Sequence, residues 1–266
     1  MKKPKGEYAI QAVINAIRLL ETFRDEEEQG VTPLAKRLDL HKNNVFRLLA
    51  TLEQLGYIEQ CAASDRYRLG VRSLELGQSF GRSRNLLRRA RPVIDELVET
   101  CGESAHLGLL RELEVVHVES RSPDRLVTTG TRVGRSLPAH CTALGKAMLA
   151  ELPEEAADRL LRKHGMLRHN ENTIASLRRL KQELAVIRQR GYAVDDEEEE
   201  IGFRCVGAAV HGSDGTLAAV SVSGTADQID VDNLALLAER VKAAAGAVSA
   251  RQPVSHAPAM AGQAAG

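Results

Sequence analysis

The chain contains no tryptophan, and Phe and Tyr together make up 3% of its 266 residues. That scarcity argues against single-strand binding of the kind that stacks bases on aromatic platforms. Its four cysteines, Cys61, Cys101, Cys141 and Cys205, lie far apart without a CxxC pair. Neither a zinc ribbon nor a disulfide framework is indicated, and a reducing cytoplasm is the expected home. No stretch approaches about 18 uninterrupted apolar residues, and Gln11, Asn15 and Arg18 interrupt the basic start MKKPKGEYAIQAVINAIRLL. No signal peptide or membrane segment is therefore expected. Walker and HExxH patterns are absent, so no cofactor is implied, and no internal repeat is visible.

What remains is ordinary globular material, 43% hydrophobic and 27% charged, long enough for two cores. Its net charge of zero hides an asymmetry. Lys and Arg number 17 against 11 Asp and Glu up to residue 91, a net +6, and 19 against 25 beyond it, a net −6. A basic N-terminal third suits contact with a polyanion.

That third has a recognisable order. Residues 8–23 place Ile10, Val13, Ile14, Ile17 and Leu20 on one stripe, predicting an amphipathic helix closed by RDEEEQG. In VTPLAKRLDL, Thr32 looks like an N-cap and Pro33 sits where a missing N–H costs nothing. The third helix is HKNNVFRLLATLEQLG, where Val45, Leu48, Leu49, Leu52 and Leu55 recur at helical spacing and turn Lys42, Asn43, Arg47 and Gln54 to the other side. Gly56 ends it. YIEQCAASDRYRL then predicts two short strands about AASD, with Arg66 and Arg68 on the returning one. Three helices and a hairpin make a winged helix-turn-helix over residues 1–70. Short polar side chains at the start of its third helix, Lys42, Asn43, Asn44 and Arg47, suit base edges in a major groove. Thr32, Arg66 and Arg68 suit phosphates, which set register without reading sequence.

Residues 71–91 read as a linker helix with glycine interruptions, and Pro92 as the opening of the amphipathic run PVIDELVETCG. From 92 to 251 hairpin patterns interleave with helical runs: strands in SAHLGLLRELEVVHVES, helices about ALGKAMLAEL, PEEAADRLLRKH and IASLRRLKQELAVIRQRGY, strands in RCVGAAVHGSDGTLAAVSVSG turning at Ser213 to Gly215, and a last helix from Val231. This is a mixed α/β module of the size of a ligand-sensing domain. The tail, 252–266, is expected to be disordered.

Five stretches, LAKRLDLHKNNVFRLLATLEQLGYIEQ, RYRLGVRSLELG, RVGRSLPAHCTALGKAMLA, RQRGYAVDDEEEEIGFRCVGAAV and AAVSVSG, together resemble the IclR family of bacterial transcriptional regulators, over roughly Tyr8 to Ala250. The resemblance implies a winged helix-turn-helix joined by a linker helix to a GAF-like effector domain, working as a dimer or tetramer on palindromic double-stranded DNA, as repressor or activator. Where the family commonly has PKST near the recognition-helix start this chain has HKNNV, so a different operator is expected. The resemblance further implies a pocket for a small carboxylate made by the Ala143 and Leu144 N–H groups with Asp195, Cys205, Ser221 and Ser223. A helix start at ALGKAML is a ready anion site, and Ser221 and Ser223 alternate to one side of a strand. Taken singly these residues have plainer roles: Cys205 as packing, Asp195 within the acidic run Asp195 to Glu200 as a solvated face, the serines on an exposed edge.

An enzyme with an accessory DNA-binding domain is the alternative, and a purely structural DNA-binding protein a third. His140 beside Cys141 suggests a thiol nucleophile, but adjacent side chains on a helix start diverge. His106 and His117 face each other across the predicted hairpin without a third metal ligand, so no metal site is expected.

Overall fold

The structure, a computed structural model, describes residues 9–24, 26–83, 85–123, 133–212 and 215–250. The chain divides into two units, one up to Ser83 and one beyond it. Ser213, Asp214 and the tail 252–266 lie outside the described residues.

In the first unit α1 (Gln11–Glu21) runs into a 3₁₀ turn (Thr22–Arg24), then α2 (Val31–Leu38), α3 (Lys42–Gln54), the hairpin β1 (Ile58–Gln60) and β2 (Tyr67–Leu69), and α4 (Val71–Ser83). Leu19, Phe23, Leu34, Leu38, Val45, Leu49, Leu52, Ile58 and Tyr67 share one core. Asp39, with φ 55°, makes the left-handed turn from α2 to α3. Gly56, with φ 76°, ends α3 in a conformation that favours glycine. Gln29 exchanges both backbone hydrogen bonds with Tyr67, tying the loop before α2 to the hairpin. The winged helix-turn-helix order of the sequence is the order found.

Three details differ. The cap of α2 is Gly30, and Thr32 lies inside the first turn; helical dihedrals begin two residues earlier than the Thr-Pro signal suggests. The apolar stripe of α1 is not core-facing: Ile10, Val13 and Ile17 are 65%, 56% and 51% exposed, because the helix packs through its far end, at Leu19 and the following Phe23. Leu55, in the C-cap of α3, is also exposed.

The second unit consists of α5 (Asn85–Cys101), β3 (Ser104–Arg111), β4 (Glu114–Arg121), β5 (Ser136–Pro138), a 3₁₀ turn (Ala139–Cys141), α6 (Ala143–Glu151), α7 (Glu154–His164), α8 (Leu177–Arg190), β6 (Ala193–Asp196), β7 (Phe203–His211), β8 (Leu217–Thr225) and α9 (Val231–Ala250). Its described strands form one sheet in the order β5-β4-β3-β8-β7-β6, every neighbouring pair antiparallel. The period-two alternation of side chains splits the strands between two cores. Leu107, Val206, Ala208, Val220 and Val222 pack with α5 and α9. Val115 and Ala219 pack with α6 and α8. Pro92 does not open α5: it lies inside the helix described over Asn85–Cys101. Leu86, Leu87 and Ala90, which the sequence pattern assigns to the linker, are buried in the first of these cores. Burying those side chains keeps the turn helical although Pro92 supplies no N–H.

Gly145 sets how closely α6 approaches the preceding turn. A Cβ there would stand 2.2 Å from both the Ala139 Cα and the Ala139 carbonyl oxygen, backbone atoms that cannot rotate away. Gly145→Ala is expected to cost about 1–3 kcal/mol of stability by overpacking, read as a lower urea midpoint; an unchanged midpoint would contradict this packing.

Candidate functional site

The register of the sheet brings distant segments into rows on the α6 face. Asp195 of β6 pairs with Cys205 of β7, and Cys205 with Ser223 of β8. One step along, Gly207 pairs with Ser221, and Ser221 with His106 of β3. Over these rows sits the start of α6. Thr142 caps it, its hydroxyl accepting from the Gly145 N–H at 3.3 Å. The N–H groups of Ala143 and Leu144, in the first turn, have no partner within the helix and lie at its positive dipole end. Gly207 lets the helix come this near, since a Cβ would stand 3.0 Å from the Ala143 carbonyl carbon.

Between helix start and sheet lies a cavity of about 620 Å³ including its open mouth. Ala143, Leu144, Asp195, Cys205, Ser221 and Ser223 all line it. So do residues that the sequence pattern did not assign to it: His106, His117, Thr142, Arg135, Glu199 and Phe203. Thr142 carried a signal, a hydroxyl residue directly before a helical run. His106 and His117 do face each other, with ring centroids 5.4 Å apart and edge to face, but on the floor of this cavity.

The cavity is chemically uneven. His106 Nε2 and the Ser223 hydroxyl are 2.7 Å apart, and His106 Nδ1 and the Ser120 hydroxyl 2.9 Å, so Ser223 is engaged rather than free. Burial, with His117 adding to it, pushes the His106 imidazole down to about 3. Burial beside the Arg135 guanidinium pushes His117 down to about 4. Both rings are neutral at physiological pH. Burial raises the Cys205 thiol well above its ordinary value, which removes it as a nucleophile. The acidic run is not wholly a solvated face: Asp195 and Glu198 are buried, while Asp196 and Glu200 are exposed. Asp195 Oδ1 accepts from the Glu198 N–H at 2.8 Å, yet burial still raises its carboxyl to about 7. Near neutrality Asp195 can therefore donate as well as accept. Free N–H groups, hydroxyls and a carboxyl able to hold a proton suit a bound anion; among the described lining residues no activated nucleophile accompanies them.

In the first unit Lys42, Asn43, Asn44 and Arg47 are all exposed at the start of α3. His41 caps that helix, Nδ1 accepting from the Asn43 N–H at 3.3 Å. Thr32, Arg66 and Arg68 are exposed too, but the two arginines are engaged within the chain. Arg66 Nη2 donates to the Glu28 carbonyl at 2.6 Å, and Arg68 Nε to Glu59 Oε1 at 2.6 Å. The second contact is an exposed ion pair, worth at most about 1 kcal/mol, and a phosphate can displace it.

Residues 78–250 match the model of the bacterial transcriptional regulator IclR C-terminal domain, and residues 12–61 that of the IclR helix-turn-helix domain. The chain is similar to the HTH-type transcriptional regulator XynR of Escherichia coli, 34% identical over 242 residues that cover 90% of this chain and 96% of the relative. The crystal structure of the Thermotoga maritima IclR superposes with a TM-score of 0.72 at 28% identity, covering 91% of this chain and 98% of that one. At 24% identity, and so as a likeness of fold alone, an IclR homologue from Microbacterium hydrocarbonoxydans complexed with 4-hydroxybenzoate superposes with a TM-score of 0.78 over 90% of this chain and 97% of that one. With both units matched, the chain belongs to the IclR family of ligand-responsive, DNA-binding transcriptional regulators.

Proposed function

We propose that the cavity beneath the start of α6 is the effector site, that its ligand is a small organic acid, and that the ligand controls how two DNA-reading heads meet a palindromic operator. One observation carries this: residues from four separate segments, grouped on the sequence by residue type and family likeness, line the same cavity. The carboxylate accepts from the Ala143 and Leu144 N–H groups and the Ser221 hydroxyl, with Ser223 shared between ligand and His106. The fold neighbour's 4-hydroxybenzoate, itself an aromatic acid, supports that ligand class.

On the DNA side, Lys42, Asn43, Asn44 and Arg47 read bases, while Thr32, Arg66 and Arg68 hold phosphates. A palindrome needs two heads about 34–36 Å apart or a multiple of it, so the working form is a homodimer or homotetramer, in the cytoplasm. Residues 1–70 form the reading head and the module beyond about residue 92 the sensor, with the helical stretch between them as linker. A ligand that binds both head arrangements equally shifts nothing, so the response depends on contacts in this cavity.

The test is operator affinity by fluorescence anisotropy, on DNA from the protein's own upstream region selected by footprinting, with and without a panel of carboxylates. Ser221→Ala with Ser223→Ala is expected to keep ligand-free DNA affinity and to weaken the effector by about tenfold per hydroxyl, since charge-assisted bonds are worth about 1.5–3 kcal/mol. An unchanged ligand response in the double variant places the effector elsewhere.

A further inference from the structure

Outside the effector cavity, the 3₁₀ turn before α6 and the segment between α7 and α8 bring together His140, Cys141 and His169. Each offers one ligand atom, and the three atoms lie within 4.8 Å of one another. We propose that they form a binding site for a borderline transition metal of the Zn²⁺ class, with a solvent molecule as fourth ligand.

His140 carries the case. It is 2% exposed, and its Nε2 lies 2.9 Å from the Leu167 carbonyl oxygen. A carbonyl can only accept, so the proton is on Nε2 and Nδ1 holds a bare lone pair. That Nδ1 is buried and has no hydrogen-bond partner. An unmet buried acceptor costs about 1–3 kcal/mol. A cation would use it, and donation of the other ring N–H to a backbone carbonyl is the arrangement that orients metal-binding imidazoles. Beside it, Cys141 is fully buried and supplies the soft sulfur that favours zinc over hard cations.

His169 completes the set from 28 residues along the chain. Its backbone is held, the N–H donating to Thr173 Oγ1 at 3.1 Å while that hydroxyl donates to the Glu198 carbonyl at 2.7 Å. The residue itself is exposed, its ring centroid 6.1 Å from that of His140. Zinc bonds of roughly 2.0–2.3 Å put tetrahedral ligands roughly 3.5 Å apart; turning the exposed ring closes the difference. Binding replaces the Cys141 S–H bond with a metal–sulfur bond and releases the proton to water, while both imidazoles bind neutral. The facing pair in the cavity is a poorer candidate, because both nitrogens of His106 are taken by serines.

The experiment titrates the full chain, stripped with a chelator, with Co²⁺ alone as optical probe and then with Zn²⁺ as competitor. One equivalent per chain is expected, with a thiolate charge-transfer band and the visible bands of four-coordinate cobalt, both lost on adding Zn²⁺. His169→Ala, a change at an exposed residue, should weaken binding by about tenfold or more, and Cys141→Ser should remove the thiolate band. His117→Ala should change neither. Absence of the thiolate band in the wild type, an unchanged affinity in His169→Ala, or loss of the band in His117→Ala would each overturn the site.

Discussion

Lys146→Ala is expected to lower the stability of the second unit by about 3–5 kcal/mol, the largest effect of any single substitution considered. Lys146 is fully buried in α6 and its ammonium is in contact with the Glu198 carboxylate, also buried. Near the helix start a cation opposes the dipole, so the residue is tolerated there only with its partner. Burial raises the Glu198 carboxyl, and the Lys146 ammonium opposes that rise. Remove the lysine and Glu198 must stay charged without a partner or take up a proton, and either choice weakens the folded state. Glu198 also belongs to the turn that donates its N–H to Asp195, so the loss reaches the cavity. Replacing both partners, Lys146→Met with Glu198→Leu, should recover much of the stability, because an apolar pair of similar volume needs no compensation. Urea midpoints for the two single variants and the double variant form the cycle. A shift below about 1 kcal/mol for Lys146→Ala would mean the pair is worth no more than a surface contact.

Effector affinity is expected to fall about tenfold between pH 6 and pH 8, through Asp195. Its carboxyl stands near 7 because burial disfavours the anion. A carboxylate effector beside it would raise that value further, so binding takes up a proton where Asp195 is otherwise ionised. Affinity is then greatest below about pH 7 and is lost as pH rises. Other groups facing Asp195 do not reproduce this window. Cys205 and Cys141 have raised thiols, His106 and His117 are neutral throughout it, and the Lys146 ammonium, the Glu198 carboxyl and the Glu198 and Glu199 N–H groups also act on Asp195. Folding stability should follow the same sign. Between about pH 4 and pH 7 the folded chain keeps a proton the unfolded chain has released, so stability declines as pH rises across that range. Calorimetric titration of a carboxylate effector at pH 6, 7 and 8 reads the effect, with Asp195→Asn expected to flatten it. A flat wild-type profile, or a slope that survives in Asp195→Asn, would separate Asp195 from the ligand.

Sequence alone determined the order of elements in the first unit, the hairpins and helices of the second apart from the short strands β5 and β6, the wing after the third helix, the start of α6 and the alternation that turns Ser221 and Ser223 to one side. These are local properties: a helical period, a strand period, a glycine at a left-handed position, a hydroxyl before a helix. It also supplied the candidate residues at the start of α3 and in the cavity, through residue chemistry and family likeness. What only tertiary structure decided is which faces meet. The stripe of α1 looks like a core face and is exposed, because periodicity marks an apolar side without saying what covers it. Pro92 looks like a helix start and sits inside α5, because packing of Leu86, Leu87 and Ala90 outweighs one missing hydrogen bond. The acidic run looks solvated, yet Asp195 and Glu198 are buried because strand register places one beside Cys205 and a lysine on α6 meets the other. His169 has no local sign of partnership with His140, since a contact across 29 residues depends on how a turn and a loop close over the sheet, and no pattern within either segment encodes that distance.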